Sequence, residues 1–110
     1  MTETLNWVAV ANIDDINPDT NTLRVVVDDE PVCLYRLDDG SIHATHDRCT
    51  HGNASLADGY IEDGLIECPL HQGCFDIRTG EAATPPCKVA VKVYPVKVEG
   101  DTVYVGGAAA

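Results

Sequence analysis

Two short segments of this 110-residue chain each combine a thiol with an imidazole: Cys49-Thr50-His51 and, after sixteen intervening residues, Cys68-Pro69-Leu70-His71. The pattern C-x-H followed by C-x-x-H puts one sulfur and one nitrogen donor on each of two loop tips. Brought together, the loops present two thiolates and two imidazoles to a common centre. Zinc fingers group both cysteines on one segment and both histidines on another. A mixed pair on each segment suits a dinuclear iron-sulfur cluster, in which one iron takes both thiolates and the other both imidazoles. A tetrahedral zinc site remains the alternative on donor chemistry alone.

The other reactive side chains read more plainly. Cys33, Cys74 and Cys87 bring the cysteines to five, an odd number that leaves at least one thiol outside any disulfide. Cys33 lies in the apolar run Val32 to Tyr35, and Cys87 follows Pro85-Pro86 with no base beside it, so both are read as structural thiols. Cys74 is read as a buried small hydrophobe. His43 falls in an apparent strand and His46 precedes the first donor segment, and neither is counted as a ligand.

Positioning such loops requires a rigid frame, and the chain alternates short β-rich runs with turn signals. Strands are expected over Trp7 to Ala11, Thr22 to Val27, Pro31 to Arg36, Ile42 to Thr45, Tyr60 to Glu62, Leu65 to Cys68, Lys88 to Val93, Val96 to Glu99 and Val103 to Val105. Asp38-Asp39-Gly40, Asp63-Gly64, Thr79-Gly80 and Gly100-Asp101 supply turn chemistry between them. Helical periodicity is nowhere sustained. The expected fold is all-β, a small antiparallel sandwich or barrel. The stretches His46 to Ser55, Pro69 to Cys74 and Ala83 to Cys87 interrupt the strands as loops, and Gly106 to Ala110 reads as a frayed tail.

Length fits one domain over residues 1–110. A formal net charge of −11, from 18 acidic against 7 basic residues, argues against nucleic acid and against anionic membrane surfaces. The acidity serves solubility and could steer the chain toward a basic partner. No apolar run approaches the ~20 residues of a membrane span, and the start MTETLNWVAV lacks a signal-peptide pattern, so a cytoplasmic location is expected.

Cys49-Thr50-His51-Gly52 and Cys68-Pro69-Leu70-His71-Gln72-Gly73-Cys74-Phe75-Asp76, with Pro85-Pro86 in a later loop, resemble the Rieske family, in particular the ferredoxins of bacterial aromatic-ring dioxygenase systems. The resemblance implies one 2Fe-2S cluster in a subdomain formed by two loops, with Cys49 and Cys68 on the inner iron and His51 and His71 on the outer one. It implies a one-electron carrier, not itself an enzyme, between a flavin-containing ferredoxin reductase and a terminal oxygenase. The motif and the acidic balance suggest transient docking, and a monomer is expected. A small subunit of a nitrite-reductase-type complex and a zinc-binding interaction module are the alternatives. Respiratory Rieske proteins join their cluster loops by a disulfide. Here Leu70 occupies one of those positions and Gly52-Asn53-Ala54 offers no partner cysteine, so no such bond is expected. High-potential relatives place Ser and Tyr where this chain has Gly73 and Phe75, which implies a midpoint near the low end of the Rieske range.

Overall fold

The computed structural model describes residues 6–48, 54–69, 73–83 and 89–107. Among these the chain forms β1 (Asn6–Asn12), β2 (Thr22–Val27), β3 (Glu30–Arg36), β4 (Ile42–His46), β5 (Tyr60–Glu62), β6 (Leu65–Glu67), β7 (Cys74–Asp76), β8 (Val93–Tyr94), β9 (Val96–Glu99) and β10 (Thr102–Gly107). Single 3₁₀ turns occupy Ile13–Asp15 and Leu56–Asp58. All pairings are antiparallel, in three sheets ordered β1-β10-β9, β2-β3-β4-β8 and β5-β6-β7. The all-β expectation therefore holds.

The arrangement follows from β3. Its run Val32-Cys33-Leu34-Tyr35 is fully buried, yet strand side chains alternate between faces. Val32 and Leu34 enter one core with Val27, Ala44, Tyr94, Val103 and Val105, which lies under the β1-β10-β9 sheet. Cys33 and Tyr35 enter a second core with Leu56, Ile66, Cys68 and Phe75, under the β5-β6-β7 sheet. The middle sheet is thus covered on both faces, a three-layer extension of the expected sandwich.

Turn chemistry matches the backbone. Asp28 and Asp29 (φ 52° and 66°) and Asp63 and Gly64 (φ 53° and 78°) are consecutive positive-φ pairs, as two-residue hairpins require. Asp tolerates that region by bonding locally, so the first pair manages without glycine.

Four sequence expectations change. Val89 to Lys92 do not continue a strand, and only Val93–Tyr94 pairs with β4. The Val91 N–H donates instead to the Gly80 carbonyl (2.8 Å), and the Lys92 carbonyl accepts from His46 N–H (2.8 Å). Cys74 ends the second loop by opening β7, opposite Glu67. It is half-buried, because that register turns Phe75 inward and Cys74 outward. Gly106 and Gly107 are not frayed, since β10 pairs them with Trp7 and Asn6.

Gly80 joins these parts. Its N–H donates to Asp76 (2.7 Å), its carbonyl receives Val91, and at φ 80° a Cβ would lie 2.2 Å from the Val91 oxygen. Gly40, at φ 85°, faces open space. Gly40→Ala should therefore cost about 1 kcal/mol, from backbone strain alone. Gly80→Ala should cost more than ~2 kcal/mol, because contact adds to strain. Urea unfolding of the two variants checks this, and equal losses would mean that the Val91 contact contributes nothing.

Candidate metal centre

Each donor segment springs from a closed stem. The first leaves β4 through Asp47, whose N–H donates to the Pro31 carbonyl (3.0 Å), and an isolated antiparallel bridge pairs Arg48 with Ser55. Cys49 and His51 lie between those bridge residues, outside the described residues. The second leaves β6 at Cys68, whose N–H donates to the Gly73 carbonyl (2.8 Å) before β7 begins. His71 lies within that turn, also outside the described residues. A third stem is tied by Ala83 N–H to the Cys74 carbonyl (2.8 Å) and by Val91 to Gly80. Pro85, Pro86 and Cys87 fall between those ties, again outside the described residues.

Cys68 is the predicted ligand whose surroundings are described. It is fully buried and shares one apolar cluster with Ala54, Leu56, Ile66 and Phe75. Ala54 belongs to the first stem and Cys68 to the second, so the two stems meet in that cluster.

Sequence reasoning does not single out Asp47. Its side chain is almost fully buried (2 % exposed). Oδ2 accepts from the Ser55 hydroxyl (2.5 Å) and faces Arg24 Nε at 3.4 Å, while Oδ1 accepts from Ala57 N–H (2.9 Å). Its carbonyl accepts from Leu56 N–H (2.6 Å). Asp47 thereby caps the Leu56–Asp58 turn from ten residues away, where the local N-cap Ser55 makes no side-chain cap bond. An acid in a run reading His46-Asp47-Arg48 carries no sequence signal of that role.

A buried polar relay reaches the same stem. The Tyr35 hydroxyl donates to Thr45 Oγ1 (2.7 Å), and Thr45 donates to the His46 carbonyl (3.0 Å). Burial, and then the neighbouring Cys33, push the Tyr35 phenol well above its ordinary range. Burial likewise pushes the Cys33 thiol up, so it stays protonated and serves packing, as the sequence reading has it. His46 Nε2 meets Glu30 Oε2 at 3.1 Å, and its Nδ1 accepts from Arg48 N–H (3.3 Å). His43 sits 2.9 Å from Ser41 Oγ. Partial burial and then Arg78 lower its pKa. Both rings therefore have hydrogen-bond partners of their own.

Residues 6–95 match the Rieske 2Fe-2S domain. The chain belongs to the Rieske family. Its cofactor is one Rieske-type 2Fe-2S cluster, and the zinc reading is set aside. The residues present fit that cofactor: the sequence carries two thiols and two imidazoles on two segments, and the stems of both contribute a residue, Ala54 and Cys68, to one buried apolar cluster.

The ferredoxin component of naphthalene 1,2-dioxygenase/salicylate 5-hydroxylase systems from Ralstonia sp. is 46 % identical over 96 residues, covering 87 % of this chain and 90 % of that one. The ferredoxin in a complex of reduced oxygenase and oxidised ferredoxin of carbazole 1,9a-dioxygenase superposes with TM-score 0.82. It is 39 % identical, with 97 % and 98 % of the two chains covered. A Mycobacterium tuberculosis chain described as an NADH-dependent nitrite reductase small subunit superposes with TM-score 0.86 at 26 % identity, covering 98 % and 100 %. Among the described residues no helix is long and apolar enough to cross a membrane.

The Cys33 environment sets a chemical expectation. In the folded protein at pH 8, Cys33 should resist iodoacetamide, being both inaccessible and protonated. It should react fully in urea. Peptide mass spectrometry reads this directly, and modification of Cys33 under native conditions would show that the second core opens.

Proposed function

We propose that Cys49 and Cys68 hold the inner iron and His51 and His71 the outer one. On this reading the whole 110-residue chain acts as a single cytoplasmic domain carrying one electron at a time from a flavin-containing reductase to a terminal oxygenase. The observation that supports the ligand set most strongly is that the two donor stems contribute Ala54 and Cys68 to one buried cluster. The carrier role is supported by relatives named as ferredoxin components of dioxygenase systems and by a solved ferredoxin–oxygenase complex. Backbone likeness does not separate a carrier from a nitrite reductase subunit, since the TM-scores are 0.82 and 0.86. Identity does, at 39 % against 26 %.

When bound, the cluster supplies a site that gains and loses a single electron. The chain's own part is to hold the ligands still. Cys68 is anchored in the core, and the hairpin ladder between β6 and β7 closes its turn. The carrier performs no bond chemistry on an organic substrate, so it is not an enzyme by itself. Gly73 and Phe75 flank the second ligand pair without offering a side-chain donor, and Phe75 is wholly buried in the apolar cluster. Donors toward ligand sulfur stabilise the more negative reduced state, and their absence lowers the potential.

His51→Cys or His71→Cys should abolish the low-temperature electron spin resonance signal of a reduced Rieske protein. His43→Ala and His46→Ala should preserve it. Rieske centres span about −150 to +300 mV, and the wild-type midpoint should lie near the low end, at about −150 mV. A His51 or His71 variant with an unchanged spectrum would remove that residue from the ligand set, and a midpoint well above zero would contradict the donor-poor surroundings.

The net charge of −11 supports docking of a monomer to basic faces on both redox partners. Electron-transfer encounters are small and short-lived. Stopped-flow reduction by the reductase should slow as ionic strength rises from about 0.01 to 0.15 M, where the screening length falls from ~30 to ~8 Å. Rates indifferent to salt would assign the acidity to solubility alone.

A further inference from the structure

We infer that Asp47 is the positioning residue of the first ligand loop, and that its buried carboxylate also holds the reduction potential down. The inference rests on the ligand reading above.

The loop from Arg48 to Ser55 carries both of its proposed ligands, yet its bridge is a single isolated residue pair. One such pair does not fix a loop of that length. Asp47 supplies what the bridge lacks. Its peptide is held on both sides, the N–H by Pro31 of β3 and the carbonyl by Leu56. Its carboxylate takes hold of the returning end of the loop at Ser55 and, in the 3₁₀ turn that follows, Ala57. Thr22 of β2 then locks the far end of that turn, its hydroxyl donating to the Ala57 carbonyl (2.9 Å). The loop is thereby bolted at entry and exit to the middle sheet.

The carboxylate accepts from Ser55 and Ala57, and the guanidinium of Arg24 at its side is 61 % exposed, so water shares that positive charge. A buried negative charge two residues from Cys49 is weakly screened and disfavours an added electron nearby. Positioning and tuning thus come from the same side chain, and they separate by mutation. Asn keeps an acceptor for Ala57 and an amide N–H that can donate to the Ser55 hydroxyl oxygen, without the charge. Ala removes both.

The test uses the full-length holoprotein. Asp47→Asn should keep wild-type iron and sulfide content and shift the midpoint upward. Arg24→Gln, which leaves the carboxylate less screened, should shift it downward. Asp47→Ala should lose cluster on purification, broaden the electron spin resonance lines and speed amide exchange at Leu56 and Ala57 at least tenfold. Ser55→Ala should show the same loosening in weaker form, and it stands in for Asp47→Ala if that variant does not fold. Wild-type protein lacking a Rieske signal would defeat the ligand reading. A normal wild-type signal with an unmoved midpoint in Asp47→Asn, or with unchanged exchange and cluster content in Asp47→Ala or Ser55→Ala, would overturn the role of Asp47 and leave that reading intact.

Discussion

The two-sided burial of β3 is the constraint from which the rest of the architecture follows. A pleated strand cannot put Val32, Cys33, Leu34 and Tyr35 on one face, so a run of four fully buried residues demands a cover on each side. The β1-β10-β9 sheet covers Val32 and Leu34. The small β5-β6-β7 sheet covers Cys33 and Tyr35, and that same small sheet carries the stem of the second donor segment. Covering the second face of β3 and placing Cys68 are therefore one packing event.

Loops of mixed polarity near a core face a difficulty, because their backbone groups need partners away from water. Here the stems answer it with few bonds, each of which also sets geometry. Cys68 to Gly73, Ala83 to Cys74 and Val91 to Gly80 close the loops by backbone alone. The first stem differs, in that a side chain, Asp47, completes it. Its acceptor atoms replace the hydrogen bonds that a longer ladder would have made. The Tyr35-Thr45 relay ends on the neighbouring His46 carbonyl, so the polar groups beneath this stem are satisfied within the protein.

Rigidity at the stems and charge at the surface divide the work of a carrier. A centre that passes single electrons benefits from ligands that do not move between states, and burial of Cys68 with Phe75 and Ile66 provides that. Association, by contrast, wants a surface that is steered and released quickly, which a strongly acidic exterior favours. The turn carboxylate of Asp39 stays ionised to low pH. Bonds from Ser41, hydroxyl first and then N–H, and a contact with Arg78 hold the Asp39 carboxyl well below the usual range.

How much the sequence reveals depends on whether the determining interaction is local. Strand runs such as Thr22 to Val27 and Tyr60 to Glu62, the Asp63-Gly64 turn, and the C-x-H and C-x-x-H donor pairs are written within a few adjacent residues, and the sequence alone determined them together with the family. Val89 to Lys92 has strand-like composition, but its backbone partners lie at Gly80 and His46, far along the chain, and they draw it out of the ladder. Cys74 reads as a small apolar residue, and only the register against Glu67 decides that it faces outward while Phe75 faces the core. Asp47 is the clearest case. Alone it is one more acid among eighteen, and it becomes the fastening of a ligand loop only once folding buries it against Ser55, Ala57 and Arg24, because the energy of a hydrogen bond depends on which groups tertiary packing removes from water.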